Sequence, residues 1–297
     1  MKRYLTIYPI EIITFTWIAL TGIFIVIFPS AIRETTCANL LLTRLYILLG
    51  FGAVMLLHRL TGWKILTYAR QLCPILLIIY WYPETYYYNQ AFFTNIDKFL
   101  IAADQWLCGC QPSTLFSEQW APQPWFNELM NFSYMSFFLA LIMVHLYFLK
   151  VNTERAFFAA FVLLSSFLLF YTFYIFLPAE GPQFYVFDHN TAIPNDGPMR
   201  SILMWLHAKG ERPTGAVPSS HIGLMVTYMI MLWRHARKFF MWLLPFSILL
   251  ALSTVYIKAH YVIDVVTGAA LAFPFYFIST WLWDKLSQWL KPSTKTL

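Results

Sequence analysis

The chain is short of charge. Only 11% of its 297 residues are Asp, Glu, Lys or Arg, against 59% hydrophobic and 20% aromatic. A soluble domain carries roughly a quarter charged residues. This chain cannot cover itself with a polar surface, which excludes the soluble cytosolic enzymes. Long basic runs are also missing. The net charge of +6 is dispersed along the sequence, which argues against a nucleic-acid partner and leaves the excess to be explained by membrane topology. Cysteine is scarce: Cys37, Cys73, Cys108 and Cys110. Cys73 lies in an apolar segment, and Cys108-Gly-Cys110 lacks the two-residue spacing of a metal pair. Two readings stay open for the others: free thiols, or a disulfide from Cys37 to Cys108 or Cys110 across an oxidising face. There is no internal repeat.

Apolar runs, by contrast, are plentiful. A bilayer core needs about 20 apolar residues per helix, and eight candidates run over 9–29, 38–57, 71–84, 130–149, 156–177, 219–234, 239–257 and 261–283. The expected fold is an all-α polytopic membrane bundle of about eight helices (six to eight). The first run follows Met1-Lys2-Arg3, is too long for a signal-peptide core and has no small-x-small cleavage site after it, so it reads as a retained helix. The third is short and carries Pro74 and Pro83. The loop 85–128 holds Tyr86, Tyr87, Tyr88, Trp106, Trp120 and Trp125. Such aromatics suit a membrane–water interface, so short helices lying flat are expected there, for anchoring or for contact with a lipid substrate. This divides the chain into N-terminal helices and interfacial loop (1–128), a transmembrane core (129–284), expected from the motifs below to be the catalytic part, and a tail (285–297).

Charge then orients the bundle. With the N-terminus inside, thirteen cations fall on inner segments: Lys2, Arg3, Arg59, Lys64, Arg70, Lys150, Arg155, Arg234, Arg237, Lys238, Lys285, Lys291 and Lys295. Six fall outside: Arg33, Lys98, Arg200, Lys209, Arg212 and Lys258. The positive-inside rule therefore puts both termini in the cytoplasm. It also brings 178–220 and 258–264 to one outer face.

Those two stretches hold the reactive side chains. In "GAVPSSHIGLMV", Ser219 or Ser220 is suited to cap a helix that opens with His221. The free N–H groups and dipole of a helix start favour an anion, and a phosphate fits there. In "STVYIKAHYVIDVVTG", Asp264 follows His260 by four residues, which on a helix places both on one face. The carboxylate then fixes one ring nitrogen and leaves the other as nucleophile or base. Lys209, Arg212 and Lys258 offer positive charge, and Gly210 and Gly215 offer close backbone approach. Each feature alone also reads as an interfacial polar residue, a local hydrogen bond or a snorkelling side chain. Converging on one face of a charge-poor protein, they point to function.

"GAVPSSH" followed, 39 residues after its His, by "STVYIKAHYVIDVVTG" resembles the second and third motifs of the type 2 phosphatidic acid phosphatase superfamily, over about residues 129–280. His260-Tyr261 before the Asp is also similar to the inositol phosphorylceramide and sphingomyelin synthase branches. The resemblance implies that His260 attacks phosphorus to form a phosphohistidine, that Asp264 orients it and that His221 protonates the leaving oxygen. It places Ser219 and Ser220 at the phosphate and implies no metal and no cofactor. Two departures stand out. Ser253 is followed by Thr254 where the family has Arg, leaving Lys258 as a substitute. The family's first motif is best matched by "LPAEGPQF", where Gln183 stands in place of a cation. A phosphodiester carries less charge than a phosphomonoester, which favours headgroup transfer.

The expected function is an integral-membrane, metal-independent lipid phosphatase or phosphotransferase. Its partners are a phospholipid or sphingolipid and, for transfer, a lipid-alcohol acceptor. An inositol-phosphorylceramide-synthase-like transferase is the second reading, and a non-catalytic lipid-binding protein or transporter the third. Transporters place their polar groups near the bilayer midplane, whereas here they gather at one interface. The expected setting is a bacterial inner membrane, with the active site on its periplasmic face.

Overall fold

The computed structural model describes residues 6–187 and 197–290, apart from the side chain of Lys209. Lys2, Arg3, Lys291, Lys295 and the Lys209 side chain therefore lie outside the described residues. These contain thirteen α-helices and no strand: α1 (Pro9–Ile27), α2 (Cys37–Thr61), α3 (Lys64–Leu72), α4 (Leu77–Glu84), α5 (Asp97–Cys108), α6 (Pro112–Trp120), α7 (Pro124–Val151), α8 (Thr153–Phe176), α9 (Pro182–Tyr185), α10 (Pro198–Gly210), α11 (Ser220–His235), α12 (Arg237–Tyr256) and α13 (Val262–Trp289).

Among the described residues, seven stretches are long and apolar enough to cross a bilayer: α1, α2, the run Lys64–Tyr87, α7, α8, α12 and α13. The remaining expected run is α11. At sixteen residues it is shorter, but it packs among α8, α12 and α13. The third run differs most from expectation. It starts at Lys64 rather than 71, because Arg70 and Gln71 are buried within it instead of marking a polar boundary. Nor does Pro74 end it: a 3₁₀ turn at Cys73–Leu76 carries the chain past the proline, whose missing N–H costs least there.

Centrality is uneven. In α8, 78% of the membrane-length window is buried, against 11% in α2. α8 is therefore the hub of the bundle, while α2 shows most of its apolar surface outward. The hub position explains the Ala156, Ala159 and Ala160 face of α8, where small side chains let neighbouring helices approach.

The two buried arginines inside the spans are paired. Arg44 of α2 meets both carboxylate oxygens of Glu84, at 2.6 and 3.1 Å. Arg70 meets both oxygens of Glu11 at 2.7 Å. Bidentate pairing is what an apolar surrounding demands of such groups. Arg70, which the sequence suggested as a loop cation, is thus an internal ion-pair partner. The four cysteines are free, with no bridge from Cys37 to Cys108 or Cys110.

The loop 85–128 carries a 3₁₀ turn at Thr85–Tyr87 and the short helices α5 and α6. It is stitched to one end of the bundle. Arg33 donates to the Tyr86 carbonyl, Ile96 N–H to the Pro178 carbonyl and Ala216 N–H to the Ala179 carbonyl. Residues 33, 86–104, 178–187, 211–221 and 257–264 therefore meet at that end, where the polar motifs lie.

Candidate active site

α12 ends at Tyr256, and the chain turns sharply before α13. Lys258 takes the left-handed region, with φ 64°. The His260 N–H returns to the Thr254 carbonyl at 3.1 Å. Asp264, the third residue of α13, accepts the Tyr261 N–H at 2.9 Å and so closes the helix start. Asp104 of α5 closes it further, its two oxygens accepting the Val262 and Ile263 N–H groups at 2.9 Å each.

His260 therefore precedes the helix instead of sitting on it. The one-face geometry expected from its four-residue spacing to Asp264 does not form: Nδ1 lies 3.6 Å from Asp264 Oδ2. The close partner of Nδ1 is the Ala216 carbonyl, at 2.8 Å. A carbonyl can only accept, so Nδ1 of a neutral His260 carries the proton and Nε2 keeps its lone pair. Asp264 Oδ1 is buried with no hydrogen-bond partner among the described residues.

The other motif lies across from it. Gly215 has φ 74°, and a Cβ there would meet the Tyr174 ring at 2.8 Å, so this turn requires glycine. Gly210 has open space around it and no such role. After a cis Val217–Pro218 bond, Ser219 caps α11, its hydroxyl accepting the Ile222 N–H at 3.4 Å. The Ser220 N–H is taken by the Tyr174 hydroxyl at 3.2 Å, so part of the anion-binding capacity expected of this helix start is already used. The His221 ring packs on Tyr134 and Phe137, with centroids 4.9 and 4.7 Å apart. It faces the His260 ring at 5.8 Å. His221 Nδ1 is buried and has no hydrogen-bond partner among the described residues. Buried polar atoms are almost always satisfied in folded proteins, and among the described residues His221 Nδ1 is an exception beside the gap between the two rings.

That gap is a cavity of about 20 Å³, lined among others by His221, His260, Ser220, Gln183 and Glu211. Room for about one water is all it offers. A second cavity of about 340 Å³ lies beside it, lined by Tyr80, Tyr87, His207, Glu211 and Arg212 among others. Glu211 lines both. Its carboxylate accepts from Gln183 Nε2 at 2.6 Å and pairs with His207 Nδ1 at 2.5 Å.

The structure thus gathers His221, His260, Asp264, Ser219, Ser220 and Gln183. Arg212 is exposed and lines only the larger cavity. Lys258 is buried, with Nζ 3.7 Å from the Phe187 ring centroid. Burial holds its ammonium below the usual lysine range; Glu118 raises it and Arg200 lowers it further. Several residues at this end were not singled out from sequence. Asp97 accepts the Glu180 and Gly181 N–H groups, at 2.7 and 2.9 Å, and the Tyr261 hydroxyl at 3.0 Å. Asp104, Tyr174, Tyr134, Arg200, His207 and Glu211 complete the set. The seven-residue spacing of Asp97 and Asp104, on one face of a helix in a charge-poor loop, was a usable signal. So was the four-residue spacing of His207 and Glu211. Among the described residues, no group of three or more His, Cys, Asp or Glu is set to hold a metal.

The family model for the PAP2 superfamily matches residues 98–278, more than half of the chain. Neither a curated protein nor a solved structure matches. The chain belongs to the PAP2 superfamily, and its helical membrane bundle accords with a lipid-phosphatase-type function.

Proposed function

We propose that this protein is an integral-membrane lipid phosphatase or phosphotransferase working through a phosphohistidine on His260, without metal or cofactor. The observation that carries the reading is the hydrogen bond from His260 Nδ1 to the Ala216 carbonyl. It fixes the tautomer whose Nε2 lone pair is free, on the nitrogen away from the backbone, with the His221 ring opposite.

The chemistry runs in two steps. Nε2 forms a bond to phosphorus as the bond from phosphorus to the leaving oxygen breaks, and His221 gives that oxygen its proton. Water or an alcohol then attacks phosphorus, His221 takes its proton, and the phosphorus–nitrogen bond breaks. Asp264 and the Ala216 carbonyl stabilise the cationic ring formed in between. The site works on the outer, periplasmic face, with both termini cytoplasmic, at the depth of lipid headgroups. The larger cavity beside Glu211 favours a second group bound next to the phosphate. That supports transfer to an alcohol, as in the inositol-phosphorylceramide-synthase-like reading, alongside hydrolysis.

Purified protein given labelled phospholipids, with and without lipid alcohols, tests this. Free phosphate and transferred headgroup are followed separately, beside His260→Ala. Loss of both products in the variant supports the mechanism. Turnover that survives it overturns the phosphohistidine.

A further inference from the structure

The departures noted in the motifs leave a gap: Gln183 and Thr254 stand where cations would hold the phosphate, Arg212 is exposed, and Lys258 sits over an aromatic ring. The structure contains another cation at this end. Arg200, in the first turn of α10, is 2% exposed. Its Nε and Nη2 have no hydrogen-bond partner among the described residues. The other two buried arginines among the described residues, Arg44 and Arg70, are by contrast paired bidentately with carboxylates. A buried guanidinium without a fork to close on is costly for the folded chain, and it persists where a ligand completes it.

Its placement follows from α10. Arg200, Leu203 and His207 form the buried stripe of that helix, one and two turns apart, and Glu211 continues it just beyond the helix end. His207 and Glu211 line the larger cavity, and Glu211 also closes the small one around His221 and His260. The stripe is held at its start by Glu128 of α7, whose carboxylate accepts the Met199 N–H at 2.8 Å and the Arg200 N–H at 3.4 Å. Arg200 is within electrostatic reach of both site charges: burial lowers its proton affinity while Glu211 raises it, and Arg200 in turn pushes down the Lys258 ammonium.

We propose that Arg200 is the phosphoryl clamp of this site, its guanidinium taking two non-bridging oxygens of a phosphate ester presented to His260. A planar fork meets two oxygens of one phosphoryl group, which a lysine cannot do. The small cavity holds no phosphoryl group as it stands, so binding displaces Glu211, the residue the two cavities share. Arg200 then exchanges a carboxylate at a distance for a phosphate in contact. The clamp rests on the phosphoryl chemistry proposed for this site, but it is read out separately from turnover.

The test uses full-length protein in detergent and inorganic phosphate as the probe, with thermal unfolding as the readout. The variants are Arg200→Met, Arg200→Lys and His260→Ala. Phosphate is expected to raise the melting temperature of the wild type and of His260→Ala. Arg200→Met is expected to melt above the wild type without phosphate, having lost an unpaired buried charge, and to gain nothing from phosphate. Arg200→Lys is expected to bind phosphate about tenfold more weakly. The clamp is overturned if phosphate shifts no form of the protein, or if Arg200→Met still responds to it. It is equally overturned if Arg200→Met fails to fold while Arg200→Lys binds phosphate as the wild type does. Phosphate binding lost only in the Arg200 variants, in a protein that turns over no lipid phosphate, sinks the enzyme reading and leaves the clamp. Lipid turnover lost in His260→Ala, with the phosphate response of Arg200→Met intact, does the reverse.

Discussion

Two histidine–carboxylate pairs with the same four-residue spacing lie at the polar end of this bundle, and they are built differently. His207 and Glu211 sit on and just after one helix and make direct contact at 2.5 Å. His260 and Asp264 straddle a helix start: the carboxylate turns to the backbone of Tyr261, and the ring turns to the Ala216 carbonyl. Sequence spacing alone ranks the pairs equally. What separates them is what each is attached to. His260 is fixed by main chain from two sides, its own N–H on Thr254 and its ring on Ala216, with the Asp264 carboxylate farther off at 3.6 Å. His207 is tied to a carboxylate that is itself shared with Gln183, an arrangement that is free to reorganise. Rigidity belongs to the proposed nucleophile and adaptability to the pair that borders the larger cavity.

Substitutions test that contrast in order of expected effect. The largest is His260→Ala, which lowers phosphate release or transfer by about a thousandfold or more; initial rates on labelled lipid read it directly. Asp264→Asn comes next. Because Ala216 already sets the tautomer, the expected loss is about 10- to 100-fold. A loss as large as that of His260→Ala would show that the carboxylate, not the carbonyl, governs the ring. His207→Gln is smaller, below about tenfold, since no proton of the proposed reaction passes through it. A loss in the hundredfold range typical of a general acid or base would reverse the roles of the pairs. The smallest effect concerns stability. Asp104→Ala removes two carboxylate contacts from the start of α13 and is expected to cost about 1 kcal/mol. The measurement is a lower melting temperature, together with a fall in activity that tracks the loosened His260 turn.

The helices were largely legible in the sequence, because apolar length is a local property. All eight expected runs are helical, although α11 falls short of membrane length and the third run begins seven residues early. Its early start was hidden by Arg70, a charge that reads as a boundary until Glu11, 59 positions away, is seen to neutralise it. The candidate residues His221, His260 and Asp264 could be singled out for a similar reason: each sits in a contiguous motif. Their supports were not. Tyr174 reaches Ser220 across 46 positions, and Asp97 reaches Tyr261 across 164. Such pairings arise only when the fold is complete. Arg200 was visible as a residue and counted for topology, but nothing in its neighbours shows that it is buried without a fork to grip.

The paired charges of the first four helices carry a consequence for how the protein is made. A helix bearing an arginine or a carboxylate inserts into lipid with difficulty on its own. α1 carries Glu11, α2 carries Arg44, and their partners Arg70 and Glu84 arrive later in the chain. The first two helices therefore emerge from the ribosome with uncompensated charge and must stay near the insertion machinery until the third run joins them. Biogenesis of this region joins three segments, all of which precede in the chain the helices that carry the proposed site.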